Sequence, residues 1–238
     1  MKLFTGTDIN AFEQRQRARF VNSLSGFKSA NLVGTADPLG ATNLAIVSSV
    51  IHLGSNPALI GMIMRPHATS RHTLENIQAL NQYTLNHVHR SHYRQAHQTS
   101  ARYAREQSEF EACGFSPEYI HGFQAPAVAE SPLQMGMELQ ELVPIKLNGT
   151  ILVIGEIKWV HVQETALGDD GYIDIERLGT VAISGLDGYH LTERLARLSY
   201  AKPDQALTEL AGPPQNAAPS SLEHMLAEAM ATSPTEPS

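Results

Sequence analysis

The chain has 238 residues, 42% of them hydrophobic and 17% charged, which is enough apolar material for one sizeable domain or two small ones. Its formal net charge is -7 and it has no Lys/Arg-rich run, so a nucleic-acid partner has no electrostatic support. The single cysteine, Cys113, rules out an internal disulfide and a thiolate metal cluster.

The N-terminus, Met1-Lys2-Leu3-Phe4, lacks the apolar core of a secretory signal. The longest apolar stretch, 58–64, falls far short of a membrane span. A cytoplasmic protein with no membrane partner is the expectation.

Residues 8–20 have helix-forming composition, with Gln14, Arg15, Gln16, Arg17 and Arg19 on a solvated face. Residues 30–35 read as a strand, and Asp37-Pro38-Leu39-Gly40 as a turn. A second strand covers 42–52 and is broken by Gly54-Ser55-Asn56-Pro57. A third, 58–64, is apolar throughout and is expected to be buried on both faces. Their short connections favour antiparallel pairing.

Thr69 or Ser70 can cap a helix running through Leu74, Ile77 and Leu80. Residues 83–88 are strand-like, and 91–110 are mostly helical in composition. Strands follow at 139–147 and 151–162, joined by Asn148-Gly149, the strongest short hairpin signal in the chain. Residues 180–184 suggest a last short strand, and 188–198 a helix. With no βαβ alternation, the pattern predicts a mainly β, antiparallel barrel with peripheral helices.

From Pro203 the composition turns to Pro, Ala and Ser, with five acidic side chains and no Lys or Arg. That tail carries -5, leaving residues 1–202 at -2. The expected organisation is therefore one domain, 1–202, and a flexible acidic tail, 203–238. Ser220 and Glu223 can form a capping box for a short helix, 221–232, with Leu222, Met225, Leu226, Ala229 and Met230 on one face.

Two segments are suited to holding a ligand. The first is the helix start near Thr69, Ser70 and Thr73, flanked by Arg65 and Arg71. Free backbone N–H groups, hydroxyls and guanidinium groups together suit a phosphate monoester. The same residues suit an ordinary capped helix with two solvated arginines, and the physics weights the two readings about equally. The second is Thr42-Asn43-Leu44-Ala45-Ile46-Val47-Ser48-Ser49. There a planar heterocycle with amide edges can lie along the backbone, although a hydroxyl-bearing strand is more often plain sheet.

His87 and His89 would share a strand face, but their surroundings hold no acidic ligand and no metal is expected. Gly-x-Gly-x-x-Gly, P-loop and Gly-x-Ser-x-Gly motifs are absent.

Taken in order, several stretches resemble the flavin reductase-like family, the FMN-binding split barrel. They are Ala30 to Thr35, Thr42 to Ser49, His52 to Gly61, Arg65-Pro66, His72 to Ile77, Tyr83 to Val88, Pro144 to Ile157 and Ser184 to His190. The resemblance implies FMN as cofactor, bound near the interface of a homodimer. It places Asn43, Ala45, Ile46, Val47, Ser48 and Ser49 at the isoalloxazine ring. Arg65, Ser70, Arg71 and Thr73 would hold the phosphate, with Gln98, Ser100 and Tyr189 as further contacts.

It implies an oxidoreductase that takes hydride from NAD(P)H and serves a monooxygenase or another electron acceptor. The alternative is an FMN-binding electron-transfer or redox-sensing protein without nicotinamide activity. A third reading is an oligomeric binding protein whose acidic tail engages a partner. No catalytic acid or base is expected, because the cofactor carries such chemistry.

Overall fold

In the computed structural model, residues 1–65 and 72–210 are described. The chain opens with α1 (Gly6–Ala11) and α2 (Gln14–Leu24), where the sequence suggests one helix over 8–20. The break has a local cause. Phe12 is extended, and the Glu13 carboxylate caps the second helix by accepting the N–H groups of Arg15 and Gln16. Phe4, Phe12 and Phe20 then meet edge to face with centroids 5.1–5.7 Å apart, folding the pair onto itself.

The elements continue as β1 (Lys28–Ser29), β2 (Asn31–Ala36), β3 (Thr42–Val47), β4 (Val50–Ser55), β5 (Ala58–Met64), α3 (His72–Leu80) and β6 (Gln82–His87). Next come α4 (Tyr93–Gln98), α5 (Glu109–Cys113), β7 (Pro117–Glu118) and β8 (Ala127–Val128). The long hairpin strands β9 (Leu133–Ile145) and β10 (Thr150–Val162) precede β11 (Ala182–Ser184) and β12 (Gly188–His190).

Seven strands form one antiparallel sheet in the order β3-β2-β6-β9-β10-β5-β4. Its two edge strands, β3 and β4, are consecutive in the chain and joined only by Ser48 and Ser49. So short a link spans roughly 10 Å at most. The edges must therefore meet, and the sheet rolls up. The Ser49 carbonyl accepts the Ile63 N–H at 3.0 Å, which carries the β4–β5 ladder one residue back into this link. This is the expected split antiparallel barrel.

Register divides the strand residues between two cores. Val33, Tyr83, Leu85, Met137, Met62 and Val153, all fully buried, share the inner face. On the outer face, Leu32 and Leu44 pack with Ala96, Phe110, Phe115 and Val128, beneath α4 and α5.

Several expectations need correction. The strand foreseen over 42–52 is two strands, because closure requires a bend at Ser48. β5 is not buried on both faces; Leu59 and Ile63, on the outer face, are only partly covered, since that face has nothing packed fully over it. The polar stretch 91–110 forms two short helices, ended at Gln98 and restarted when Ser108 accepts the Phe110 N–H. The helix foreseen over 188–198 is absent. Its first residues pair as β12, with Ile183 opposite Tyr189, so tertiary pairing overrides helix propensity there.

The described chain forms two compact units, Met1–Ala166 with Ile175–Arg194, and Leu167–Asp174 with the chain from Leu195. Within the second, Arg197 stacks on the Tyr172 ring and pairs with Asp170. Its residues 197–199 also pair with 208–210: Ser199 donates to the Thr208 carbonyl and Leu210 to that of Arg197, each at 2.8 Å. Residues 203–210, assigned from sequence to the tail, thus include one side of a hairpin. Residues 211–238, with the candidate helix 221–232, lie outside the described residues. Among the described residues, no helix is long and apolar enough to cross a membrane.

Candidate functional site

The two segments singled out from sequence, the 42–49 stretch and the start of α3, are neighbours. α3 packs on the face of β2 and β3 that carries Thr35 and Asn43, and it buries Leu74 and Ile77. A buried polar cluster fixes the contact. Asn43 Nδ2 donates to Thr73 Oγ1 at 2.9 Å, and Asn76 Nδ2 donates to Thr35 Oγ1 at 3.2 Å. Buried amides are costly unless bonded, so these bonds set the position of the helix start. Thr73 Oγ1 acts as acceptor towards Asn43 and keeps its own proton to donate.

Ser70 and Arg71, the other expected phosphate ligands on this segment, lie outside the described residues, as does Thr69. Arg65 is exposed and follows the end of β5 directly. Beside the described start of α3 is a cleft lined by Thr42, Asn43, His72, Asn76, Arg105 and Glu109, among others. Arg105 pairs with Glu75 of α3 at 3.0 Å across partly exposed surroundings.

β3 is an edge strand, and its free edge is already engaged in part. The Leu44 N–H donates to the buried Glu109 carboxylate at 3.0 Å, and the Ile46 N–H to the Thr99 hydroxyl at 2.9 Å. These side chains cover backbone that would otherwise be exposed. A flat ligand using β3 backbone donors therefore has the C-terminal end and the Ser48-Ser49 link open to it, rather than positions 44 and 46. The candidate ring residues divide by face: Asn43, Ala45 and Val47 point one way and Ile46 the other.

On the Ile46 side, the structure gathers the remaining candidates. Ile46, Tyr93, Tyr103 and Tyr189 all pack against the outer core. Tyr189 sits 5.4 Å from Tyr93 between ring centroids, and its hydroxyl lies 3.0 Å from His97 Nδ1. Desolvation first, then the nearby Asp187 charge, pushes the Tyr189 phenol up to about 12, so it is a neutral donor near pH 7. Gln98 Nε2 donates to the Tyr103 hydroxyl at 3.2 Å, while Ser100 is exposed just past α4.

Sequence reasoning missed Glu109 and Arg105, and it offers His97 and Thr99 only as part of a polar stretch, 97–102, that could approach a ligand, without their partners. Their partners lie far along the chain, with Thr99 53 residues from Ile46 and Glu109 65 from Leu44, so no local pattern announces them. His87 Nδ1 lies 3.4 Å from the Thr180 hydroxyl and His89 Nδ1 2.6 Å from the Ser91 hydroxyl. Among the described residues, no group of three or more His, Cys, Asp or Glu side chains is placed to hold one.

Comparison with known proteins follows the same outline. A model described as the flavin reductase like domain matches residues 24–177. A proposed flavin reductase with a split barrel domain from Shewanella frigidimarina NCIMB 400 is 57% identical, with a TM-score of 0.82 over 84% of this chain and 100% of that one. Flavoredoxin of Desulfovibrio vulgaris (Miyazaki F) is 25% identical, with a TM-score of 0.63 over 76% of this chain and 93% of its own. Nitrilotriacetate monooxygenase component B from Bacillus cereus, 19% identical, shares the fold with a TM-score of 0.73 over 82% of this chain and 96% of its own.

Proposed function

Because this chain belongs to the flavin reductase-like family, we propose that it is an FMN-dependent oxidoreductase that takes hydride from NAD(P)H and acts as a cytoplasmic homodimer. The observation that carries this reading is the Asn43–Thr73 hydrogen bond, which seats the start of α3 beside β3. A phosphate-binding helix and a ring-binding strand have to adjoin in this way if one mononucleotide is to reach both.

The residues fit such a ligand. Thr73 has a hydroxyl proton to give, and Arg65 supplies charge at the end of β5. Ser70 and Arg71 extend the phosphate site by proposal from sequence. The N–H groups of the Ser48-Ser49 link lie beside the ring, while Asn43, Ala45 and Val47 shape the strand beneath it. Ile46, Tyr189, Gln98 and Ser100 border its other side. The flavin, when bound, supplies the hydride-accepting ring; the protein orients it and excludes water. The Tyr189 hydroxyl, held by His97, acts as a neutral donor.

The likeness to flavoredoxin favours a second reading, an FMN-bound electron carrier without nicotinamide activity. Likeness to a monooxygenase component favours delivery of reduced flavin to a partner oxygenase. Anaerobic mixing of the purified yellow protein with NADH and with NADPH separates them. Bleaching of the flavin band by either nucleotide is expected. A protein that holds flavin yet is bleached by neither is a carrier, and a protein that binds no flavin ends both readings.

A further inference from the structure

We propose that the α1–α2 arm of one protomer seats on the outer face of β4, β5, β10 and β9 of a second copy of this chain. This rests on the homodimer reading above and names the surfaces it uses. The arm buries none of its helical residues in its own protomer. A helix as short as α2 is marginal in water without packing. Its root is fixed where Lys28 Nζ donates to the carbonyls of Asn22 and Gly185. Beyond that root it presents Leu3, Val21, Leu24 and Phe27 to solvent, with exposures of 85%, 47%, 65% and 65%. Val21 and Leu24 lie three residues apart on one side of α2, an apolar patch suited to docking, while Phe27 lies past the helix with its ring 4.9 Å from that of His190 between centroids.

The arm is basic and the rest of the chain acidic. Residues 1–24 carry Lys2, Arg15, Arg17 and Arg19 against Asp8 and Glu13, a net +2 within a chain of -7, so the remainder is -9.

The barrel wall at β4 complements both features. Ile51 and Leu53 are 48% and 40% exposed and lie, with Leu152, over Gly61, where an added Cβ would touch all three. β4 is an edge strand, and of these neighbours only His52 is polar enough to discourage pairing. Toward β9 the same face turns acidic. Glu138 and Glu156 share Lys158 at 3.4 and 2.7 Å, and Glu141 stands opposite Ile154. An apolar patch bordered by arginines thus meets an apolar edge bordered by carboxylates, and twofold symmetry makes the contact twice. Ile51 follows Ser49 by two residues, so the seated arm borders the flavin link.

Sedimentation velocity on the full chain in saturating FMN tests this. The wild type should be a dimer that loosens as ionic strength rises. Arg15→Glu with Arg19→Glu, both exposed, should weaken dimerisation about tenfold or more, and adding Glu138→Lys with Glu141→Lys should recover most of it. Val21→Ser with Leu24→Ser should give the same loss with no change of charge. A dimer indifferent to the arm substitutions overturns the arm contact and leaves the homodimer standing. Failure of the lysine changes to rescue a folded arm variant overturns the pairing of the two surfaces. A monomeric wild type overturns both readings.

Discussion

Thr73 and Asn43 are bonded to each other, so in the proposed site a phosphate at the α3 start would draw on the Thr73 proton, with Arg65 and Arg71 as further proposed ligands. Charge-assisted bonds to a phosphate contribute roughly 1.5–3 kcal/mol each. Arg65→Ala and Arg71→Ala should each weaken FMN binding by about tenfold or more while leaving riboflavin binding unchanged. Fluorescence titration with the two flavins checks this, and parallel losses for both ligands would place the phosphate elsewhere. His87 provides a separate test. Burial pushes its imidazole down to about 4, and its Nδ1 lies 3.4 Å from the Thr180 hydroxyl. The unfolded chain titrates near 6.5 and therefore binds the extra proton first. Stability present at neutral pH is lost as pH falls from about 6.5 towards 4, by roughly 1–3 kcal/mol. In His87→Gln that part of the slope should vanish in urea melts at stepped pH; an unchanged slope would show that His87 does not titrate this way.

In the barrel strands, side chains alternate with the pleat, and one inner-face position admits nothing larger than hydrogen. The Tyr83 hydroxyl is buried without a hydrogen-bond partner in the structure and lies over Gly155 of β10, where any Cβ would collide with it. Gly155→Ala should destabilise the fold by about 2 kcal/mol through overpacking. Tyr83→Phe should cost little, since no bond is lost. The double substitution should recover most of the alanine loss. Chemical denaturation measures all three, and strict additivity would mean that the two residues do not meet. These strands were legible in outline because alternation and turn residues are local. Asn148-Gly149 does make the β9–β10 turn, with both N–H groups on the Ile145 carbonyl. The 188–198 segment was misread because Ala182, Ile183 and Ser184 capture its first residues as a strand.

For the molecule as a whole, the acidic composition from Pro203 onward predicts a tail dispensable for the flavin. The 197–210 hairpin makes Leu210 the informative place to cut. A chain ending there should keep its yellow colour and its dimer, by visible spectrum and light scattering. A folded but colourless truncation would put the tail in the site. The sequence by itself determined the β-rich class, most strand positions, the turn at Asn148-Gly149 and the resemblance that led to the family. Each depends on residues close together in the chain. Tertiary structure alone decided that β3 and β4 are opposite edges joined by two residues, that the start of α3 adjoins β3 through Asn43 and Thr73, and that Glu109 and Thr99 occupy the N–H groups of Leu44 and Ile46. The physical reason is separation. A hydrogen bond between groups dozens of residues apart depends on the path of the chain, which local periodicity and turn chemistry do not encode.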